Sequence, residues 1–432
     1  MPPPRPPGIV AAGVGMWRLL GLRRFGALFV TQALGAVNDN LFKNALVVLA
    51  LYRLAHVGPL VVALAGGIFI LPYALFSTLA GQVADKFEKS RVVRFTKWWE
   101  LGLMLLAAVG FLSGSIVALL LVLFGLGVQA AFFSPVKYGI LPDLLSEPEL
   151  VGGNGLIEAG TFLGILAGTV AGGVLVVLPQ GPVLAAGLCI LVALAGVVAA
   201  YFVPKVAVAA PGLRLEWNIF RATQELVAEA RANRPVWLAI LGISWFWAMG
   251  ATVLAELPTV VRDNLSGSGP VVTLLLLVFS AGVGIGSLLC GGLLRGGVAV
   301  RLVPWMGLGI SVFMLAFAYQ AAAAGVLPGV AAVLASSNGR LMLLELLGLA
   351  ACGGVFSVPL YVVCQEYAEP SHRSRMIAAN NILNAAAMVG AALVSAGLFA
   401  ALRSAPLILA VTAGLNLLVA GILAKLLKNW HS

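Results

Sequence analysis

The sequence predicts an all-α membrane protein in which twelve transmembrane helices form two pseudo-symmetric six-helix bundles. Three observations lead there. The first is composition: of 432 residues 61% are hydrophobic and only 10% charged, with a mean hydropathy of +1.05. A soluble globular chain carries about 25% charged residues, so water-soluble classes are excluded. The second is the distribution of charge. Residues 101–136, 159–204, 264–294, 302–339, 376–402 and 404–424 contain no Asp, Glu, Lys or Arg. Each supplies at least one helix of the roughly 20 apolar residues needed to cross a hydrocarbon core about 30 Å thick. A membrane β-barrel would alternate apolar and polar residues in segments of about 10, whereas 119–126 is apolar on every side. The third is internal repetition. Phe133-Ser134, Pro135 and Tyr138 are echoed half a chain later by Phe356-Ser357, Pro359 and Tyr361, and Glu147-Pro148 by Glu369-Pro370. Asn154 and Glu158 then correspond to Asn380 and Asn384. Two such repeats with substrate handled between them follow the logic of a secondary transporter.

Taken in order, the chain opens with a tail, 1–24, that has five prolines in its first seven residues and Arg18, Arg23 and Arg24 after them. The apolar helix after this tail is too long, and too polar in its middle, for a cleavable signal peptide, so we read the tail as a disordered cytoplasmic extension. Turn clusters such as Gly58-Pro59, Ser113-Gly114-Ser115 and Pro179-Gln180-Gly181-Pro182 then divide the chain into spans. In the first bundle, 25–203, these are 25–53, 59–83, 92–112, 115–137, 153–177 and 182–203. A linker, 204–235, is the longest soluble piece. Its stretch Glu216 to Arg231 sets Trp217, Phe220 and Leu226 among charges, which suits either a helix on the membrane surface or a solvated connection. The second bundle, 236–432, holds spans 236–261, 270–294, 300–322, 340–364, 376–402 and 404–427.

With both termini in the cytoplasm, 21 of the 26 basic residues fall on that side, including Lys86, Lys89, Arg91, Arg94 and Lys97 after helix 2. Arg53, Arg262, Arg340 and Arg403 fall outside, and Lys43 alone lies within a span. An excess of that size fixes orientation. The net charge of +10 is therefore a topology signal, not a sign of nucleic-acid binding. Cys189, Cys290, Cys352 and Cys364 are scattered through apolar runs without metal-ligand spacing and read as core residues; no metal or cofactor is expected.

An ionisable group at the bilayer centre costs about 2.5–3.5 kcal/mol on insertion scales, so each needs a partner, a wet cavity or a function. Helix 1 is the richest: Gln32, Asp39 and Lys43 share one face, with Asn38 and Asn40 beside the acid. Either Asp39 and Lys43 neutralise each other within the helix, or the face lines a central cavity that takes an anion at Lys43 and a cation at Asp39. Three further amide side chains exceed what one neutralised pair requires and favour the cavity. Helix 5 places Asn154 and Glu158 on one face and Gly160, Gly164, Gly168 and Gly172 on another, the small-residue spacing that lets helices approach closely. Lys137 either pairs with Glu158 or snorkels to the interface. Asn380, Asn381 and Asn384 of helix 11 serve equally as interhelical glue or cavity lining. Glu100, Glu256 and Glu345 are expected near the interfaces. Glycines of helices 5 and 8 (Gly282, Gly284, Gly286) suggest a seam along which the bundles part.

The loop Gly81-Gln-Val-Ala-Asp85-Lys86-Phe-Glu88-Lys89-Ser-Arg91 resembles the signature of the major facilitator superfamily, with Glu88 where the second glycine would stand. The resemblance implies the major facilitator fold, with this loop as a latch between helices 2 and 11. Gly81, Asp85, Lys86, Lys89 and Arg91 would be its gating residues. Gln32-x-x-x-Ala-x-Asn38-Asp39-Asn40, Phe133-Ser-Pro-x-Lys137-Tyr-Gly-Ile-Leu and Asn154-Gly-Leu-x-Glu158-Ala resemble, more narrowly, the bacterial lysophospholipid transporter family. Fainter similarity returns at Trp245-Phe-Trp247, Phe356-Ser-Val-Pro359 and Gln365-Glu366. That resemblance implies a flippase moving lysophosphatidylethanolamine and lysophosphatidylglycerol from the outer to the inner leaflet of the bacterial inner membrane for re-acylation. Asp39, Asn40, Lys137 and Glu158 would form its head-group site, with Lys43, Asn154, Gln32 and Asn384 beside them on the residue reading. Members of the family carry an arginine near Leu254 of helix 7; here Glu256 is the nearest charge. The alternative is a proton-coupled exporter or symporter of a small amphipathic solute. An enzyme is not expected, because His56, His372 and His431 have no Asp four or five residues on. The chain ends at Lys428-Asn-Trp-His-Ser432, so the acyltransferase partner is expected to be a separate protein.

Overall fold

The computed structural model describes residues 15–53, 58–293 and 298–428. The proline-rich stretch with Arg5, and His56, Arg295 and His431, lie outside them. Twelve long helices carry the described chain: α1 (Arg23–Arg53), α2 (Gly58–Lys86), α3 (Lys89–Ser113), α4 (Ile116–Gly139), α5 (Glu147–Leu175), α6 (Gly181–Tyr201), α7 (Arg234–Thr259), α8 (Gly269–Leu293), α9 (Val303–Ala323), α10 (Ser337–Glu366), α11 (Arg373–Leu402) and α12 (Ala405–Lys428). Among the described residues, eleven helices are long and apolar enough to cross a membrane; α1, the twelfth long helix, falls short because polar side chains interrupt its middle. The chain is a multi-pass membrane protein.

The internal repeat appears as repeated packing. In the first half α1 packs on α5, α2 on α4 and α3 on α6; in the second α7 packs on α11, α8 on α10 and α9 on α12. The halves meet through the symmetry-related pairs α2 with α11 and α5 with α8. Tyr138 and Tyr361, at matching places in the two repeats, stack face to face with centroids 4.5 Å apart and planes 6° from parallel.

Local sequence explains the helix starts. Glu88 caps α3, accepting hydrogen bonds from the backbone N–H of Ser90 at 2.8 Å and Arg91 at 3.1 Å. It also takes the N–H of Val206 at 3.2 Å, tying the loop to the linker. Its φ of −63° needs no glycine, so the departure from the loop signature leaves the turn intact. Burial alone would raise the Glu88 carboxyl, but these hydrogen bonds outweigh it and hold the group below its ordinary value. Helix α5 starts at Glu147, six residues before the sequence-based boundary, because Pro148 sits in its first turn and Glu149 takes the Ser146 N–H at 2.9 Å. The glycine stripe of α5 packs on α1: a Cβ on Gly168 would stand 2.2 Å from the Val37 carbonyl oxygen, and one on Gly172 2.3 Å from that of Leu41.

The linker contains a helix, Ile219–Ala232, that buries Ala222, Leu226 and Ala230 against α2, α7 and α11. Thr223 meets Thr78 at 2.9 Å. Trp217 and Phe220 point away from the bundle, 72% and 83% exposed. Glu229 on this helix pairs with His372, and lies 3.7 Å from Arg375. This side of the bundle, which also carries the 87–88 loop, is the linker face.

Candidate functional site

A cavity of about 330 Å³ lies between the halves, bounded by α1 to α5 on one side and α7, α10 and α11 on the other. The site is asymmetric. The first half supplies every charged lining residue: Asp39 and Lys43 from α1, Lys97 and Glu100 from α3, Lys137 from α4 and Glu158 from α5. The second half supplies Trp247, Tyr361, Asn381, Asn384 and Met388, which are aromatic, amide or apolar.

Of the residues singled out from sequence, Gln32, Asp39, Asn40, Lys43, Lys137, Glu158 and Asn384 line this one cavity. Gln32 braces its wall, donating to the Ile157 carbonyl at 3.2 Å and accepting from Thr161 Oγ1 at 3.0 Å. Asn40 donates to Ala36 of its own helix at 2.9 Å, and Asn384 accepts from Ser244 at 2.8 Å. Asn154 lies outside the cavity. It exchanges hydrogen bonds of 2.7 and 3.0 Å with Gln365 of the second half, beneath the cavity on the linker-face side.

Neither of the two pairings weighed from the sequence, Asp39 with Lys43 and Lys137 with Glu158, forms, in keeping with the cavity reading of the helix 1 face. Among the described residues Asp39, Lys43, Lys137 and Glu158 make no ion pair within 4 Å. Lys43 Nζ lies 5.7 Å from the centre of the Phe69 ring and Lys137 Nζ 4.5 Å from that of Tyr138. Asp39 Oδ1 and both Glu158 carboxylate oxygens have no hydrogen-bond partner. Buried charges left so are costly unless something else meets them.

Two expectations from the sequence are corrected by the structure: Lys97 does not belong to the basic loop, and Glu100 does not lie near an interface. Because α3 starts at Lys89, Lys97 lies about 12 Å along it at 1.5 Å per residue, and both side chains are 1% exposed. They pair with each other. Glu100 Oε1 accepts from Asn38 Nδ2 at 3.0 Å, and its Oε2 is 3.4 Å from Gln129 Nε2. Lys43 is thus not the only base within a span. The i, i+3 spacing of Lys97 and Glu100 carries the signal, hidden when the helix start is set at 92. Sequence does not single out Trp247 or Gln129 as lining residues either, since nothing in an apolar run separates an inward aromatic or amide from a lipid-facing one. Glu256 stands apart from the cavity and accepts from Ser395 at 2.5 Å, joining α7 to α11, and Leu254 is exposed. Small residues of α5 and α8 do meet, at Gly152, Gly155 and Gly291, where a Cβ on Gly155 would stand 2.5 Å from the Ser287 carbonyl oxygen. Of the three α8 glycines singled out from sequence, Gly282 and Gly286 face α10, and only Gly284 faces α5, with its Cβ position 4.0 Å from Ala159.

Layers of contact close the cavity toward the linker face. The Tyr138–Tyr361 stack comes first and the Asn154–Gln365 exchange next. At the rim, Asp85 accepts from the N–H groups of Ser374 at 3.1 Å and Arg375 at 3.2 Å, and from Arg375 Nε at 3.3 Å. A carboxylate placed on the N-terminus of α11 is favoured by the helix dipole. Gly81 lets α2 come this near: its Cβ would stand 2.7 Å from that of Ala378. Lys89 and Arg373 reach Asp143 from opposite halves at 3.1 and 3.6 Å. Lys86 lies over Phe87 and Arg91 is exposed, so neither joins these contacts. On the opposite side nothing lies within 4 Å of the Cβ positions of Gly66 and Gly67 on α2 and Gly390 on α11.

The family model of the Major Facilitator Superfamily matches residues 28–392. The lysophospholipid transporter LplT of Escherichia coli O139:H28 is 33% identical over 392 residues, covering 86% of this chain and 91% of that protein. LplT of Shigella dysenteriae serotype 1 matches with the same identity and coverage. Among solved structures, the human organic anion transporter MFSD10 (TETRAN) superposes with a TM-score of 0.76 at 18% identity, over 93% of this chain and 99% of that one. The Escherichia coli fucose:proton symporter FucP superposes at 0.70 with 14% identity, over 93% and 98%.

Proposed function

This chain belongs to the lysophospholipid transporter family of the major facilitator superfamily, and we propose that it carries single-chain phospholipids across the membrane through the central cavity. The observation that carries the reading is the set of four unpaired charges of both signs on one wall, facing a wall without charge. A lysophospholipid presents a phosphate, in some head groups an ammonium, and one acyl chain. Lys137 and Lys43 meet the phosphate, Glu158 and Asp39 meet the ammonium or hydroxyls, and the glycerol lies along Trp247 and Tyr361. At about 330 Å³ the cavity is at the small end of ligand sites, so it holds a head group and not a long acyl chain. The acyl chain then extends into lipid on the side away from the linker face, where Gly66, Gly67 and Gly390 have open space around them.

The bacterial inner membrane is the proposed location, with both termini and the linker face in the cytoplasm. The contacts at the linker face then close the cytoplasmic side, and substrate passes from the outer to the inner leaflet, where an acyltransferase restores the second chain. Purified protein in vesicles with labelled lysophosphatidylethanolamine in the outer leaflet tests this. Protein-dependent movement to the inner leaflet, lost in Lys137→Ala, is expected. Lysolipid that stays outside while a soluble solute moves would overturn the reading, and adding a proton gradient distinguishes the proton-coupled alternative.

A further inference from the structure

Lys97 and Glu100 form the one closed ion pair among the charged cavity-lining residues, and the unpaired-charge site needs neither of them to be complete. Their surroundings are shaped around them. A Cβ on Gly196 of α6 would stand 2.6 Å from Lys97 Cε, and one on Gly35 of α1 would stand 3.3 Å from Lys97 Nζ, so both neighbours lack a side chain where the lysine passes. Glu100 gathers Asn38 of α1, Lys97 of its own helix and Gln129 of α4 on one carboxylate. Asn38 is the residue before Asp39, so this hydrogen bond ties α1 to α3 beside the Asp39 position. Outside this pair the lining's two acids (Asp39, Glu158) and two bases (Lys43, Lys137) already balance in formal charge, and the pair balances within itself.

We propose that Lys97 and Glu100 determine specificity as a matched pair: each cancels the other's charge at the cavity wall, so the balance between zwitterionic and anionic head groups holds while both charges or neither are present and shifts when one is lost. A bare buried ion pair is poor evidence for stability, because apolar residues of similar volume usually serve as well. A pair placed in a site where other charges meet a charged ligand instead shifts the potential there when one member is lost. In a medium less polarisable than water, one unit charge several ångströms from the head group alters affinity by about tenfold.

The inference rests on the lysolipid reading of the cavity, and the test separates the two. Wild type, Glu100→Gln, Lys97→Met, the double variant and Gln129→Glu are reconstituted, and the transfer rates of a phosphoethanolamine and a phosphoglycerol lysolipid are taken as a ratio within each preparation. That ratio does not depend on the amount folded. Glu100→Gln leaves an extra positive charge and should shift the ratio about tenfold toward the anionic lipid. Lys97→Met should shift it the other way, the double variant should return it to the wild-type value, and Gln129→Glu, which keeps both members of the pair, should follow Lys97→Met. A ratio unmoved in every variant, or moved the same way by both single substitutions, overturns the proposal while wild-type transfer still upholds the lysolipid reading. Absence of transfer by wild type would instead fell that reading, and this proposal with it.

Discussion

Replacing Asp85 by Asn should open the linker face. Its carboxylate takes three hydrogen bonds from the start of α11, two from backbone N–H groups and one from the Arg375 guanidinium, and it is fully buried while Arg375 is 15% exposed. Hydrogen bonds to a charged group contribute about 1.5–3 kcal/mol each. They are not additive, and asparagine keeps one acceptor oxygen while turning an N–H₂ toward a donor. The net loss to the closed arrangement is then about 2–3 kcal/mol, or about 30- to 150-fold in the ratio of closed to open. The neighbouring contacts of Asp143 with Lys89 and Arg373 remain, so the fold should persist. Spin labels at Phe87 and Tyr367, exposed on the linker face of opposite halves, report the separation. The expected result is a second, longer distance that is minor or absent in wild type, with leaflet transfer slowed because the form closed at the linker face is depleted. A distance distribution identical to wild type would refute the assignment of Asp85 as the rim of the closed state.

Asp39→Asn and Lys137→Ala should each lower lysolipid transfer by more than about tenfold while leaving membrane insertion intact, since each removes a charge facing the cavity and no ion pair of the fold; vesicle transfer and detergent gel filtration check both halves of the statement. Gly168→Leu should lower the melting temperature in detergent, because its Cβ would stand 2.2 Å from Val37 O and overpacking costs about 1–3 kcal/mol or more; Gly250→Ala, with nothing within 4 Å, should be neutral or stabilising. Glu88 is held below its ordinary value when folded, so its capping contribution is fully present above the unfolded carboxyl value of about 4.3 and is lost as pH falls below it through the folded value. Protease cutting of the linker should therefore stay constant from neutral pH to about pH 5 in wild type, using an acid-active protease at the lower end, and Glu88→Ala should raise it throughout, by the roughly 1 kcal/mol of a lost cap.

The helices are legible in the sequence because twenty apolar residues in a row have few other uses. The twelve spans match to within a few residues, except where caps override apolarity: Ser146 and Glu149 start α5 well before its apolar stretch. Side-chain destinations are legible only where a residue type is intolerable in lipid. Asp39, Lys43 and Glu158 stand out for that reason, and so do the asparagines of α11. Lys97 is misplaced by sequence alone because a base near a helix end reads the same whether it snorkels outward or turns inward, and Gly35 and Gly196, which admit it, sit on helices that only tertiary packing brings near. The Asn154–Gln365 exchange is out of reach for the same reason, since it joins residues 211 positions apart. The small-residue pattern predicts close helix approach, which holds, but it does not name the partner: the α5 stripe faces α1 within one half.

The loss of symmetry in charge follows from the kind of cargo proposed. Two repeats related by a pseudo-twofold axis would, if chemically equal, build a cavity with the same groups on both walls. Such a site suits a ligand that is itself balanced about its middle, whereas a lysophospholipid has one polar end and one apolar end. In this chain the backbone symmetry is kept where motion needs it, in the matched α2–α11 and α5–α8 contacts and in the Tyr138–Tyr361 stack on the axis. It is broken where binding needs it. Glu158 has Asn384 as its counterpart, and Lys137 has Leu360, one residue before the tyrosine in each repeat. Each exchange removes a charge from the second wall while leaving the helix in place. In the proposed mode of transport the head group would be held by one half as the other moves past it, so the charges would not be desolvated anew on each side of the membrane, a step that would cost several kcal/mol per charge.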